Sequence, residues 1–247
     1  MRSVQCKLLV LLDLIAKKAG SVTASNGLKI DVTKGIADVT KLGILVVSGG
    51  ATFTLAQAND EEVLNWIKAI DKTTVYTASV CTGSWILGSA GLLEGKKATS
   101  NWYHADEILK KFGAIPQSKS RYVFDGKLVT SAGVTAGIDM SLAIIKKLYS
   151  KDFNNGKDFT QAVMLDLQYD PKPSVSGGTP AKSEKSVFEG VQLMYYMFLN
   201  SEPPYDAIKT LKIHDVTGDL PEPTSSSSTP AVCTPPQVWN AEMGHCM

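Results

Sequence analysis

The sequence has almost no net charge, few cysteines and no long apolar run. Its 25 basic and 24 acidic residues leave a net charge of +1, and no basic stripe with interleaved aromatic residues is present. Nucleic acid is therefore not an expected partner. No segment reaches the roughly 20 apolar residues that a membrane-spanning helix needs, so we expect no membrane association.

The four cysteines are too scattered for a metal site. Cys6, Cys81, Cys233 and Cys246 lack the short spacings of zinc ligands. A disulfide framework is also not expected, because a chain of 247 residues can bury a large core without one. These features favour a reducing compartment, and we predict a cytoplasmic protein.

The N-terminal apolar run has two interpretations. Arg2 and Lys7 precede a run of leucine and valine that is typical of a signal peptide, but Asp13 interrupts it. A buried strand over residues 7–16 explains the same composition. We favour the strand.

Strand and helix patterns alternate along the first 150 residues. The predicted strands cover residues 7–16, 42–48 (a central strand) and 74–80, and hairpin turns fall at Asn26-Gly27 and Asp125-Gly126. The predicted helices are one capped by Asn59 or Asp60 that buries Val63, Leu64, Ile67 and Ile70, one over residues 84–90, and one over residues 136–149 that buries Ile138, Leu142 and Ile145. This alternation is typical of a doubly wound parallel sheet.

The last third of the chain has a different composition. Residues 169–180 are rich in proline, glycine and serine and predict a loop. Residues 185–200 predict a packed helix with Phe188, Val191, Gln192, Tyr195 and Leu199 on one face. We expect one α/β domain over residues 1–200 and a partly disordered tail over residues 201–247, with residues 221–236 of low complexity.

The strongest chemical signal is Cys81. A hydrophobic strand ends there, and small residues, Thr82-Gly83-Ser84, then open a helix. This pattern is typical of a nucleophile elbow, in which a tight turn lifts the side chain above the sheet edge. A thiol at a helix N-terminus also has its thiolate favoured. The alternative is a buried, unreactive cysteine at a strand end.

Further motifs stand in a fixed order around Cys81: residues 18–20, 49–50, 79–84, 87–99, 113–116, 125–126, 131–139, 168–173 and 178–180. Together they resemble the ThiJ/PfpI branch of the class I glutamine-amidotransferase-like superfamily, and within it the isocyanide hydratase-like members. The resemblance covers roughly residues 15 to 195. It implies a flavodoxin-like α/β sandwich, with a parallel sheet between helices and Cys81 at the sheet's carboxyl edge.

The resemblance assigns roles to particular residues. Cys81 matches the nucleophilic or oxidisable cysteine, and Gly49-Gly50 match a turn whose amides hold a developing negative charge. Thr82 stands where many relatives carry a histidine; its hydroxyl either bonds substrate or satisfies a backbone donor. Asp139, in the motif with Thr135, is interpreted as structural.

The chain departs from the family at its beginning. Only sixteen residues precede Lys17, so we expect the first βα unit, which in the family normally carries the catalytic carboxyl group, to be missing or collapsed in this sequence. In one alignment residues 7–16 are the second strand and the acid is absent. In the other, Asp13 is the catalytic acid. Asn101 also stands where relatives often have a histidine, and we expect His104 to lie on a solvated helix face.

The resemblance implies a cysteine-dependent hydratase or hydrolase that acts on a small-molecule electrophile, without a metal or organic cofactor, and a homodimer. The alternative is a catalytically impaired homologue that serves as a redox-sensitive stress or binding protein. A transcription regulator is disfavoured because no helix-turn-helix pattern follows residue 200.

Overall fold

The computed structural model describes residues 12–24 and 27–199, and the backbone of two short strands near the C-terminus. The chain divides into two compact units, Met1–Val216 and Thr217–Met247. In the second unit Trp239–Asn240 pairs antiparallel with His245–Cys246. The predicted disorder of residues 221–236 lies outside the described residues, and the domain boundary near residue 200 stays a prediction.

Four short strands open the described chain. They are β1 (Ile15–Ala16), β2 (Gly20–Thr23), β3 (Lys29–Val32) and β4 (Lys34–Gly35). The antiparallel pairing of β2 with β3 confirms the predicted hairpin, although Asn26 of its turn lies outside the described residues. β1 pairs in parallel with β4.

The prediction of a buried strand over residues 7–16 is wrong for its described part. Only β1 is extended and paired, and the side chains of Leu12 and Leu14 are 84% and 52% exposed. Asp13 lies between them, and its carboxylate accepts from Lys34 Nζ at 2.8 Å. A charged group in an apolar run must stay near water or a partner, which keeps this segment at the surface. Residues 7–11 lie outside the described residues.

Within the described residues, the main sheet consists of four strands. The strands that follow β4 are β5 (Ile44–Val47), β6 (Tyr76–Val80), β7 (Lys97–Ala98), β8 (Ile115–Pro116), β9 (Tyr122–Asp125) and β10 (Leu128–Ser131). The main sheet has the order β5-β6-β10-β9, with β5, β6 and β10 parallel and β9 antiparallel to β10. β7 and β8 form a separate parallel pair.

The position of β5 differs from the prediction. Residues 42–48 were expected as a central strand, but β5 lies at one end of the sheet, and no strand in the described ranges pairs with its outer edge. The earlier segment that could have paired there, β1, pairs with β4 instead.

The described residues form seven α-helices. They are α1 (Ala51–Ala58), α2 (Glu61–Asp71), α3 (Gly83–Ser89), α4 (Ala105–Lys111), α5 (Val134–Leu148), α6 (Lys157–Asp166) and α7 (Lys185–Leu199). α2 confirms its prediction in detail, because the Asp60 carboxylate caps it by accepting from the amides of Glu62 and Val63, and all four predicted core residues are buried. No helix in the part of the chain described here is long and apolar enough to cross a membrane.

The helices enclose the sheet from both faces. The larger core cluster includes Leu45 of β5, Trp85 and Leu87 of α3, and the buried face of α2. The smaller one joins Ala78 of β6 to Met140 of α5. The molecule is therefore an α/β sandwich, as predicted.

The core stripe of α5 differs in part from the prediction. Leu142 is buried as predicted, but Ile138 is 39% exposed, and Ala136, Gly137 and Met140 are buried instead. A Cβ at Gly137 would lie 2.9 Å from Val80 Cγ1, so small residues let the helix lie close against β6. This close approach selects the face that enters the core.

Candidate active site

Cys81 lies on a strained turn between β6 and α3. Its backbone φ is +60°, a left-handed conformation that costs a residue with a Cβ about 1–2 kcal/mol. The Cys81 amide donates to the Ser131 carbonyl at 3.1 Å. The thiol is free and partly exposed. The sharp turn predicted at the end of this strand is therefore present and the thiol is not fully buried, while its reactivity stays a prediction.

Two serine hydroxyls hold the strained turn. Ser84 Oγ donates to the Cys81 carbonyl at 3.1 Å, and Ser100 Oγ approaches the same oxygen at 3.4 Å. Both serines are buried, and their hydroxyl oxygens lie 2.7 Å apart, within hydrogen-bond distance of each other. Most buried hydroxyls are hydrogen-bonded, and here the bonds of this pair to the Cys81 carbonyl hold the elbow in place. Sequence reasoning missed Ser100, which lies 19 positions from Cys81.

Thr82 supports the glycine turn after β5. Its buried hydroxyl accepts from the Gly50 amide at 3.1 Å and lies 3.0 Å from Thr54 Oγ1 of α1. Of the two roles considered for Thr82, the structure shows the satisfied backbone donor. The hydroxyl thus joins the elbow to the turn and to α1.

Gly49 and Gly50 lie against the elbow. A Cβ at Gly49 would come within 2.7 Å of the Thr82 amide nitrogen and 2.9 Å of Cys81 Cβ, so only glycine fits there. The Gly50 amide is already bonded to Thr82. The structure brings both glycines to Cys81, but their role in holding negative charge stays a prediction.

Asn101 connects Cys81 to α7. Its Nδ2 donates to Cys81 Sγ at 3.4 Å and to Tyr195 Oη at 3.3 Å. Its Oδ1 accepts from the Tyr103 amide at 3.0 Å, and this bond determines which end of the side-chain amide faces the thiol. Asn101 is 4% exposed. Tyr195 therefore lies beside Cys81, although the sequence only predicted it to be a packing residue of α7.

Aromatic rings surround this bridge. Tyr195 stacks on Tyr103 with ring centroids 5.3 Å apart and meets Trp102 edge-on at 5.4 Å. Phe188 lies about two helical turns before Tyr195 on the same face of α7, and its ring centroid is 5.4 Å from that of Trp102. These contacts confirm the predicted packed face of α7. They give the site an aromatic wall, which suits a substrate with an apolar substituent.

The prediction of a solvated His104 is wrong. Its side chain is only 12% exposed, Nδ1 lies 2.9 Å from Glu107 Oε2, and Nε2 is buried without a hydrogen-bond partner. Its backbone φ is +46°. The ring packs edge-on against Tyr103, and this contact draws it inward from the helix N-terminus.

Tyr103 carries a buried hydroxyl without a partner, so we expect Tyr103→Phe to stabilise the protein. Tyr103 Oη makes no hydrogen bond, and an unsatisfied buried hydroxyl costs about 1–3 kcal/mol. Burial, then Tyr196 and Glu107, raise the pKa of Tyr103 to about 12. Between pH 10 and 12 the unfolded tyrosine loses its proton before the folded one, so the folded state loses stability as pH rises.

Urea unfolding measured from pH 8 to 12 tests this expectation. Tyr103→Phe should unfold at higher urea than wild type at pH 8, and the difference between the two proteins should grow above pH 10. Lysine titration affects both proteins alike and cancels in that difference. A variant that is less stable than wild type at every pH would contradict the unpartnered hydroxyl.

Asp13 and Asp139 lie in different surroundings, and the bonds of both are to residues other than Cys81. Asp13 pairs with Lys34, and among the described residues no hydrogen bond or ion pair joins it to Cys81, so its role as the catalytic acid stays a prediction without a contact to support it. Asp139 accepts from Arg121 Nε at 2.5 Å and from Tyr169 Oη at 2.6 Å. It holds α5 to the loop after α6, in the structural role predicted for it.

The described residues contain no cluster of three or more histidine, cysteine or acidic side chains suited to a metal ion.

Fold and site define an α/β protein with a cysteine on a nucleophile elbow at the carboxyl end of a parallel strand. The DJ-1/PfpI family model matches residues 8–147, and the chain belongs to that family.

The relatives of this chain carry different functional names. The chain is 39% identical over 176 residues to an isonitrile hydratase of Pseudomonas putida, which covers 71% of this chain and 73% of that protein. It is 30% identical over 135 residues to the transcriptional regulator CdhR of Pseudomonas aeruginosa, but spans only 40% of that regulator. The crystal structure of a ThiJ/PfpI family protein from Pseudomonas syringae superposes with a TM-score of 0.69 at 33% identity, covering 81% of this chain and 77% of that one.

Proposed function

We propose that this protein is a cysteine-dependent hydratase of small electrophiles, and that its substrates are isonitriles. The observation that carries the proposal is Cys81, a partly exposed thiol held at φ +60° by buried hydrogen bonds. Strain of this kind persists where the surrounding structure imposes it and is concentrated at functional sites. The similarity to an isonitrile hydratase over 71% of the chain supports the choice of substrate class.

The proposed reaction adds water across the terminal carbon of an isonitrile, R–NC. The Cys81 thiolate attacks that carbon, which takes up a proton and becomes the thioimidate S–CH=N–R. Water then adds to the same carbon, the nitrogen is protonated, and the C–S bond breaks to release the thiolate and the formamide R–NH–CHO. The aromatic side chains near the thiol, Trp102 and Tyr195, suit an apolar R group.

Incubation of the purified protein with an aliphatic and an aromatic isonitrile tests the proposal. We expect the formyl proton of the N-substituted formamide to appear in the NMR spectrum at a rate proportional to enzyme concentration. Heat-denatured protein provides the background. If neither isonitrile is converted faster than with denatured protein, the proposed substrate class is wrong.

Thr82→Val should lower both activity and stability. The variant keeps the shape of the side chain but leaves the Gly50 amide without its acceptor and removes the bond to Thr54. A buried donor left unsatisfied costs about 1–3 kcal/mol, and the glycine turn is then free to shift relative to Cys81. We expect a lower kcat together with a lower free energy of unfolding.

Thr82→Ser is the matched control for this prediction. It retains the hydroxyl, so it should keep most of the activity that Thr82→Val loses. Urea unfolding and formamide production are measured on the same samples. Equal loss in both variants would mean that the methyl group, not the hydroxyl, supports the turn.

A second candidate function rests on one observation. In the part of the chain that the structure describes, no carboxylate bonds to the Cys81 thiol, whose side-chain partner is the Asn101 amide. A partly exposed thiol is open to reversible oxidation, and without a bonded acid it lacks the usual proton donor of the hydratase, so a redox-sensitive stress or binding protein is the second candidate. Intact mass after mild peroxide treatment distinguishes the two functions: rapid oxidation at Cys81 without isonitrile turnover would favour the second.

A further inference from the structure

Tyr195 presents a phenol beside the thiol that the family resemblance does not assign. The Asn101 amide donates one hydrogen to Cys81 Sγ and the other to Tyr195 Oη. Tyr195 is half-buried, and its ring is held between Tyr103 and Trp102. Two groups that share one amide donor in this way lie within reach of the same small substrate.

The hydrogen bonds leave the phenol proton available. Because Asn101 Oδ1 accepts from the Tyr103 amide, its nitrogen must face Tyr195, and Tyr195 Oη is therefore the acceptor of that bond. Within residues 12–24 and 27–199 no further group bonds to Tyr195 Oη. The O–H hydrogen thus has no protein acceptor there and can be donated to a molecule bound at Cys81.

The reaction requires such a donor. After the thiolate attacks, the isonitrile carbon must gain a proton, and no carboxylate among the described residues bonds to Cys81. We infer that Tyr195 is the general acid and base of the hydration, held beside the thiol by Asn101. This inference rests on the proposed function and names the proton donor that its mechanism needs.

Each step balances when the phenol shuttles one proton. In the first, the S–C bond forms, the O–H bond of Tyr195 breaks and its hydrogen joins the isonitrile carbon. The phenolate then takes a proton from water as hydroxide adds to that carbon, and the phenol passes the proton to the nitrogen. Finally the phenolate removes the hydroxyl proton as the C–S bond breaks, which restores both the thiolate and the phenol.

The surroundings of Tyr195 favour its protonated form. Burial first, and the neighbouring Cys81 second, raise the pKa of Tyr195, while the Asn101 hydrogen bond opposes them. Among the described residues, the titratable groups that face it are Cys81 and Tyr103. α1, which packs on α7, carries no titratable side chain, and the next residue of α7 is Tyr196. The phenol is therefore charged only at alkaline pH, and activity should fall there.

The test replaces Tyr195 by phenylalanine and, separately, by site-specifically incorporated 3-fluorotyrosine. Tyr195→Phe should lower kcat for isonitrile hydration by about 10²-fold, the lower end of general acid–base contributions, while iodoacetamide still alkylates Cys81. Fluorination lowers the pKa of a phenol without removing it, so 3-fluorotyrosine at position 195 should move the alkaline fall in kcat to lower pH. Tyr196→Phe and 3-fluorotyrosine at position 196 are the matched controls and should leave the pH profile unchanged.

The outcomes separate the inference from the function on which it rests. If the wild-type protein hydrates isonitriles but 3-fluorotyrosine at position 195 leaves the pH profile unchanged, Tyr195 only packs against the site. If iodoacetamide alkylates Cys81 of the wild-type protein but the protein converts no isonitrile, the proposed function and the inference are both overturned. If Tyr195→Phe fails to fold, the fluorotyrosine protein, which keeps every contact of the ring, still gives the answer.

Discussion

Cys81→Ser is expected to abolish isonitrile hydration and leave the fold intact. A serine hydroxyl is a far weaker nucleophile than a thiolate, and among the described residues no carboxylate or histidine bonds to this position to activate it, since its side-chain partner is the Asn101 amide. Loss of a catalytic nucleophile typically lowers kcat on the order of 10⁴–10⁶-fold. The partly exposed side chain is of similar size in both residues, so the unfolding midpoint should change little. Formamide production and urea unfolding measure the two effects.

The control for this prediction uses the other thiols of the chain. A variant with Cys6, Cys233 and Cys246 all replaced by serine retains Cys81 alone and should keep wild-type activity. Intact mass after brief isonitrile treatment should show an adduct on this variant and none on Cys81→Ser. Residual activity above background in Cys81→Ser would sink the covalent mechanism, because attack by sulfur is its first step.

Much of the elbow was predictable because it depends on local sequence. A hydrophobic strand followed by Cys81-Thr82-Gly83 determines the turn within a few residues, since small side chains permit the close approach that it needs. The capped α2 and the hairpin at Asp125-Gly126 were predictable for the same reason. In each case the deciding contacts join residues that are near in sequence.

The groups that surround the thiol could not be predicted in this way. Asn101 lies 20 positions from Cys81 and 94 from Tyr195, so their meeting depends on how α7 packs on the rest of the molecule. The helical pattern of α7 predicted that Tyr195 would face inward, but it could not predict that Asn101 and Tyr103 would be its neighbours. The exposed position of Leu12 and Leu14 was missed because strand composition and surface segments look alike when the pairing partner is unknown.

Gly83→Ala is expected to destabilise the protein strongly, because α3 begins directly against the backbone of β5. A Cβ at Gly83 would lie 2.2 Å from the Val47 carbonyl oxygen and 3.0 Å from the Ser48 carbonyl group. These are backbone atoms, which cannot rotate away as the end of a flexible side chain can. Forcing the two apart should lower the free energy of unfolding by about 2–4 kcal/mol, and activity should fall because Cys81 moves with α3.

Gly190→Ala is the matched control, since it adds the same methyl group to another helix. Nothing lies within 4 Å of a Cβ at Gly190 in α7, and alanine is a better helix former than glycine by about 1 kcal/mol. The two substitutions should therefore change the urea midpoint in opposite directions. Equal midpoints for Gly83→Ala and wild type would mean that β5 and α3 do not approach so closely. The contact between Gly83 and β5 would then not hold the glycine turn near the thiol. The distance between Cys81 and Gly49 would depend instead on the hydrogen bond from the Gly50 amide to the Thr82 hydroxyl.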